Sequence, residues 1–314
     1  MKHVFVINPK AGKGKAVCDF KPKIEEYCNK NALDYQIHVT SAAYEAIEYV
    51  RELAKKGEKT RFYACGGDGT LFEVVNGAFG YCNAEVAVIP LGSGNDFIRL
   101  FGTKEQFLDI EAQVNGIATD LDIIKCDDVI AINQCSMGFD AEINAKQCYF
   151  KKMPFMKGET AYMAALLYCF LKKVNNVFTI KIDGGEPFTQ NTLFCVAANS
   201  RWYGGGFKAA PLAMPDDGLL DFIIVKKTMN RLKLLGLVDK YKQGKHLEWD
   251  FTNFVKGKKI TIHSDTVAAI NCDGEKRFSN DATFEIVEKG IKFVIPSNSS
   301  YFEDKASGKL DCLC

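Results

Sequence analysis

Apolar runs and amphipathic stretches alternate through the first third of the chain. Residues 3–8 are a continuous apolar run that ends at Asn8, the pattern of a buried strand. A helix is predicted from about 17 to 30, and a second strand over 35–40. Over 43–56, Ile47, Val50, Leu53 and Ala54 share one helical face, and Gly57 ends the pattern. Strands follow over 61–65 and 85–91, with a helical pattern over 71–78 between them. Strands separated by single helices imply a parallel, doubly wound sheet. Ligands of such sheets bind beyond the carboxyl ends of the strands. Four loops leave those ends, at 8–15, 40–41, 66–70 and 92–96, and these loops carry the glycine and polar punctuation.

The rhythm changes at Leu121. Strand-length runs follow one another over 121–126, 129–135, 177–182, 193–198, 219–225, 260–263, 268–272, 283–287 and 291–295. Turn sequences such as Asp183-Gly184-Gly185 and Asp273-Gly274 separate some of them. One helical pattern, over 158–174, interrupts the series. The prediction is α/β plus mostly β: a doubly wound α/β nucleotide domain over 1–125, and a larger antiparallel β-sandwich domain over 126–295. Whether 296–314 rejoins the first domain is left open. There is no internal repeat and no low-complexity linker.

Composition narrows the function. A chain of 314 residues fits two domains, and 47% hydrophobic content excludes global disorder. A net charge of +1 argues against broad electrostatic binding of nucleic acid. No signal peptide is visible, and the longest apolar stretch, 161–171, is far too short to span a bilayer. None of the 12 cysteines falls in Cys-x-x-Cys spacing. Cys65, Cys126, Cys135, Cys169 and Cys195 sit inside apolar runs, so they read as reduced core thiols of a cytosolic protein. Cys312-Leu313-Cys314 lacks the four-residue prenylation pattern and reads as a frayed tail.

Two loops carry the chemistry. Gly66-Gly67-Asp68-Gly69-Thr70 lies between a strand and a helix, the geometry that cradles phosphate on free N–H groups. An acid in the middle of an anion site is unfavourable unless a metal ion or a proton transfer requires it. The plain alternative is that Thr70 caps the helix. The second loop, Pro90-Leu91-Gly92-Ser93-Gly94-Asn95-Asp96-Phe97, combines two glycines with a hydroxyl, an amide and an acid. Neither loop has P-loop or dinucleotide-fold spacing, and Lys13-Gly14-Lys15 fails the same tests.

Taken with Asn8-Pro9 and its Lys/Gly run, these motifs resemble the diacylglycerol kinase catalytic family, and most closely its soluble bacterial lipid kinases. The stretch 199–222, with Gly204-Gly205-Gly206, Pro211 and Asp216-Asp217-Gly218, is also similar, as is Asn271-Cys272-Asp273-Gly274-Glu275. The resemblance covers nearly the whole chain in order. The first glycine motif alone is shared with NAD kinases and phosphofructokinases, and the combination is more specific.

The resemblance implies an NAD kinase/diacylglycerol kinase-like fold and Mg²⁺-dependent transfer of the ATP γ-phosphate to the primary hydroxyl of diacylglycerol or a similar lipid. By similarity, Asn8, Thr40, Gly66, Gly67, Asp68, Gly69 and Thr70 hold the nucleotide, and Ser93 and Asn95 extend that surface. Asp68, Asp96 and Asp122 look like the acid network around the catalytic Mg²⁺, acting through waters, which magnesium retains readily. Glu275 resembles the general base. A second, structural Mg²⁺ is implied at the Asp217 side chain with the carbonyls of Met214 and Leu219. Each assignment has a plain alternative: Asp96 capping the next helix, Asp122 facing solvent, Glu275 as an exposed hairpin acid, Asn8 ending a strand, and Asp216-Asp217-Gly218 as an acidic turn.

The mixed basic and apolar run Lys151-Lys152-Met153-Pro154-Phe155-Met156-Lys157, with the apolar helix after it and Lys172-Lys173, suits an anionic membrane surface. A core helix is the alternative reading. Arg201-Trp202-Tyr203 is a further candidate for lining a lipid entrance. The expected partners are therefore ATP, a lipid substrate and the membrane surface, for a cytoplasmic, peripherally membrane-associated enzyme, with a homodimer kept open and nucleic acid excluded. Asn95-Asp96-Phe97 looks more like diacylglycerol kinases than sphingosine or ceramide kinases. Monoacylglycerol, ceramide or a sphingoid base remain alternative acceptors. An NAD kinase and a non-catalytic binding protein are disfavoured: the first by the Gly92 to Asp96 loop, the second because all four acids are present.

Overall fold

The computed structural model describes residues 1–150, 153, 156, 160, 164–165, 167–169, 176–227 and 236–311. They pack as two units, Met1–Ile123 with Glu288–Cys314, and Ile124–Val287.

In the first unit the expected alternation is realised as β1 (Lys2–Ile7), α1 (Ala16–Lys30), β2 (Tyr35–Val39), α2 (Glu45–Ala54), β3 (Thr60–Gly66), α3 (Asp68–Ala78) and β4 (Ala84–Pro90). Two short helices follow, α4 (Lys104–Leu108) and α5 (Ile110–Val114). These four strands pair in parallel, in the order β4-β3-β1-β2. Val4, Phe5, Val6 and Ile7 are all buried, which is why β1 reads as unbroken apolar sequence rather than alternation. Phe5, Ile7, Tyr63, Cys65, Ala87 and Ile89 meet Ile24 and Cys28 of α1 in one core.

Register positions the loops. Ile7 pairs with Cys65, and Cys65 with Ile89. The three strands therefore end level, and the loops after Ile7, Cys65 and Ile89 emerge side by side. The opposite end is tied down by Arg61, a buried residue whose guanidinium donates to Glu85 Oε2 (2.8 Å) and to the carbonyls of Gln113 and Val114 (both 2.8 Å). A buried charge with all its donors placed in this way fixes the register of β3 on β4.

The second unit begins within β5 (Ile117–Cys126) and contains β6 (Val129–Ala131), β7 (Gln134–Gly138), α6 (Phe139–Phe150), β8 (Asn176–Ile182), β9 (Phe188–Ala198), β10 (Leu220–Lys226), α7 (Val238–Lys242), β11 (Thr252–Gly257), β12 (Lys259–Cys272) and most of β13 (Glu275–Ile295). Its strands pair antiparallel in the order β11-β10-β9-β7-β12-β13, with β8 on β9 and β12. Alternation along β10 sends Phe222 and Ile224 to one core cluster and Ile223 and Val225 to another, giving the sandwich-like layering. β13 then continues into the first unit, where Lys292 and Phe293 pair in parallel with Glu85 and Val86, and α8 (Tyr301–Ala306) follows.

Several predicted elements differ. The single strand expected over 129–135 is two, because Asp273 draws the N–H groups of Ile132 (2.6 Å) and Gln134 (2.7 Å) out of the ladder into a turn. The pieces at 260–263 and 268–272 join as β12 across a register shift, and those at 283–287 and 291–295 join as β13. β11 and α6 carry no clear periodic signal and were not expected. Much of 151–157 and 158–174 lies outside the described residues, as do Cys312 and Cys314; of the part described, Ala165 and Cys169 are buried and Leu167 is exposed. The five cysteines named above are buried free thiols. No described helix is long and apolar enough to cross a membrane.

His246 yields a pH prediction. It is fully buried, donates from Nε2 to the Ala209 carbonyl (2.8 Å), and burial pushes its imidazole from 6.5 down to about 4. Protonation therefore favours the unfolded chain. Stability from this group is complete above about 6.5 and is lost as pH falls toward about 4, by up to about 3 kcal/mol. Urea unfolding of the wild type should weaken across that window, and His246→Gln should flatten the slope. Equal slopes for the two proteins would contradict the assignment.

Candidate active site

Backbone hydrogen bonds stitch the four loops of the first unit together. Asn8 N–H donates to the Cys65 carbonyl (3.1 Å), and Thr40 N–H to the Ile7 carbonyl (3.0 Å). Leu91 and Gly92 both donate to the Gly66 carbonyl (2.8 and 3.0 Å), and Gly12 donates to the Leu91 carbonyl (2.9 Å).

The glycines divide into two classes. A Cβ on Gly66 would stand 2.1 Å from Thr70 Oγ1, and one on Gly92 would stand 2.4 Å from the Gly67 Cα. Those two are required by the protein's own packing. Gly69 has open space where its Cβ would be, so nothing in the protein demands a glycine there. Gly67 is the residue before α3 in extended conformation, and Gly69 lies in the first turn. The N–H groups of Asp68 and Gly69 have no partner four residues earlier within the helix, which is the usual basis of an anion site.

Asp68 joins the two glycine loops. Asn95 N–H donates to its Oδ2 (2.8 Å) and Asp96 N–H to its Oδ1 (2.9 Å). Asn95 is held at φ +53 and donates from Nδ2 to the Gly66 carbonyl (3.1 Å). Asp96 is buried, and its Oδ1 accepts from Arg99 Nε (3.0 Å). It makes no side-chain cap to the turn that follows, which removes the capping alternative. A Cβ on Gly94 would stand 2.6 Å from Asp68 Oδ2 and 3.7 Å from Asp96 Oδ2. Two carboxylate oxygens thus converge on the one position where a bare Cα leaves room.

The remaining predicted residues take varied places. Thr70 is buried inside α3 rather than capping it, and its Oγ1 accepts from Asn8 Nδ2 (3.4 Å). Asn8 Oδ1 in turn accepts the Lys10 N–H (3.0 Å), which starts the Lys/Gly run. Ser93 is exposed at the loop tip and Thr40 half-buried. Asp122 lies on β5 and is only 3% exposed, so it does not face solvent; its Oδ1 accepts the Lys289 N–H (2.8 Å). Sequence reasoning missed Glu45, which accepts from Ser41 Oγ (2.6 Å), Ser41 N–H (2.7 Å) and Ala42 N–H (3.1 Å). The Ser41 hydroxyl and these N–H groups push its carboxyl down to about 2 and fix the loop after Thr40. The signal was there: an acid four residues after a serine at a helix start.

In the second unit Glu275 is half-buried and opens β13. The hairpin before it is held twice. Asp273 binds the 132–134 backbone, and Asn271 Oδ1 accepts both the Gly274 N–H (2.9 Å) and Asn144 Nδ2 of α6 (2.5 Å). Arg201 is buried and bonded to the Ala213 carbonyl (3.1 Å), while Tyr203, also buried, donates to Asp140, so only Trp202 of that trio is half-exposed. Asp217 Oδ2 lies 2.7 Å from Lys256 Nζ, and its Oδ1 accepts the Leu219 N–H (3.0 Å).

These placements test the implied ions. At Gly94 the Oδ2 atoms of Asp68 and Asp96 face one position, the hard oxygen donors that a hydrated magnesium takes, and Arg99 pairs with the other oxygen of Asp96. The Asp217 loop does not fit, because an ammonium already sits against the ligand carboxylate. Among the described residues no three acids, histidines or cysteines are grouped to bind an ion directly.

Comparison with known proteins agrees in order and extent. Residues 2–126 match the diacylglycerol kinase catalytic domain, and residues 133–295 match the YegS C-terminal NAD kinase beta sandwich-like domain. The candidate lipid kinase YtlR of Bacillus subtilis is 28% identical over 288 residues, covering 86% of this chain and 92% of its own. The diacylglycerol kinase of the same organism is 27% identical over 266 residues, covering 84% and 86%. A crystal structure of a candidate diacylglycerol kinase from Bacillus anthracis superposes with a TM-score of 0.73 at 23% identity, over 94% of this chain and 97% of that one, a likeness of fold.

The two glycine classes make separate predictions. Gly92→Ala should lower stability by about 1–3 kcal/mol, because its Cβ meets backbone. Gly69→Ala should leave stability unchanged or slightly raised, yet weaken ATP binding. Thermal unfolding and ATP titration of both variants check this. A stable Gly92→Ala protein would remove the packing argument.

Proposed function

Because the chain belongs to the diacylglycerol kinase catalytic-domain family of bacterial lipid kinases, we propose that it transfers the γ-phosphate of ATP to the primary hydroxyl of diacylglycerol, giving phosphatidate. The observation that carries this reading is the convergence of Asp68 and Asp96 on Gly94, beside a helix start with unfilled N–H groups.

Nucleotide binding is assigned to the α/β unit, 1–123 with 288–314, and the lipid acceptor to the β-rich unit, 124–287. Gly66, Gly67, Gly69 and Thr70 receive the phosphates at the start of α3, with Asn8, Thr40, Ser93 and Asn95 around them. Asp68 and Asp96 would hold the catalytic magnesium through its waters, with Asp122 completing the acid set. When bound, that ion offsets the negative charge of the triphosphate and of the leaving oxygen. The loops hold the γ-phosphorus in line with the acceptor, and positioning supplies most of the rate in this chemistry. The acceptor oxygen forms its bond to the γ-phosphorus as the bond to the ADP oxygen breaks. Glu275 takes the hydroxyl proton. Its fixed hairpin, held by Asp273 and Asn271, suits a base that must be in place at that moment. Access to the lipid is by peripheral contact with an anionic membrane surface, for which the basic residues at 151–157 are the sequence support.

Labelled phosphatidate formed in mixed micelles tests the roles. Asp68→Ala should lower turnover by a factor on the order of 10³ or more, with a stability loss of about 3–6 kcal/mol from the two hydrogen bonds to its carboxylate. Glu275→Gln should lower turnover by roughly 10²- to 10⁴-fold with ATP binding intact. Near-normal turnover in Asp68→Ala would end the active-site assignment, and in Glu275→Gln would move the base elsewhere.

A further inference from the structure

The loop between Arg201 and Asp221 reads from sequence as a second cation site, yet protein side chains fill it. Asp221 is buried on β10, and sheet register sets it directly opposite Lys256 of β11. The Lys256 ammonium lies 2.7 Å from Asp217 Oδ2 and 3.4 Å from Asp221 Oδ1. It therefore bridges the loop acid and the strand acid from a fixed point on the sheet. A second cation is close by: Arg201 is buried, donates from Nε to the Ala213 carbonyl (3.1 Å), and has a terminal nitrogen 3.2 Å from Met214 Sδ.

A divalent ion exists in such a loop to neutralise carboxylates and to tie the loop to its sheet. Here a side chain of the protein itself does both tasks. We propose that Lys256 replaces the structural cation, its ammonium pinning the Asp217 loop to β10 and β11, so that the second unit folds and holds its shape without a metal ion at this place. A divalent ion would have to approach within a few ångströms of a fixed ammonium, where repulsion between like charges is strong. The proposal does not depend on which acceptor the enzyme uses.

The test is thermal unfolding of the full-length protein without nucleotide, in EDTA and then in millimolar magnesium or calcium. The wild type should melt at the same temperature in all three. Lys256→Ala should melt several degrees lower in EDTA and recover when either cation is added, and the double variant with Asp217→Asn should not recover. A magnesium-induced rise in the wild type that Asp217→Asn abolishes would overturn the proposal. So would a Lys256→Ala protein that melts like the wild type, or one that loses stability and gains nothing from either cation. If Lys256→Ala fails to fold, the wild-type comparison with Asp217→Asn still decides the question.

Discussion

The first unit depends on one carboxylate. Asp68 accepts the N–H groups of Asn95 and Asp96, and through them fixes a loop whose backbone does not hold its shape by local preference. Asn95 adopts a left-handed conformation that costs about 1 kcal/mol or more. Hydrogen bonds to a charged acceptor contribute about 1.5–3 kcal/mol each, so two of them offset that strain comfortably. The close approach this enforces explains why Gly92 and Gly94 cannot carry side chains, while Gly66 is kept bare by Thr70. It also leaves Asp68 Oδ2 turned toward the Gly94 position together with Asp96 Oδ2. The carboxylate that holds the loop is thus the one that faces the Gly94 position.

The second unit uses the same device with different partners. Asp273 binds successive backbone N–H groups over 132–134, so the turn before Glu275 is anchored to a segment distant in sequence. Asn271 adds a side-chain link to α6. Lys256 does for the Asp217 loop what these residues do for the hairpin. In each case a polar side chain ties an irregular segment to the sheet or helix beside it.

Much of this was legible from local pattern. β1, β3 and β4 are buried on both faces, so their runs are unmistakable, and single helices between them impose the parallel order. The two glycine motifs around Asp68 and Asp96 pointed to one candidate site, and the structure brings them together through Asp68. What stayed hidden is non-local. The break between β6 and β7 depends on Asp273, far along the chain. β13 reads as fragments because Lys289 interrupts it at φ +51, and its early part is largely polar. For Asp122, read as one of the acid network, the alternation of its strand also allowed a solvent-facing position; its burial and the Lys289 N–H it accepts come from a segment distant in sequence. Lys256 could not be found because its strand is polar and its partner Asp221 is set by register. The glycines were recognised for the wrong reason in part: Gly92 is required by contact between the two loops, and Gly66 by the Thr70 side chain packed against it.

The central claim is that these loops deliver the ATP γ-phosphate to a lipid hydroxyl. The most direct measurement is transfer of radiolabel from γ-labelled ATP, with magnesium, to mixed micelles containing anionic phospholipid, offering diacylglycerol, monoacylglycerol, ceramide and sphingosine in parallel with NAD. The account predicts labelled phosphatidate from diacylglycerol, abolished by chelation of magnesium. Label on NAD alone, or on no acceptor at all, would contradict it.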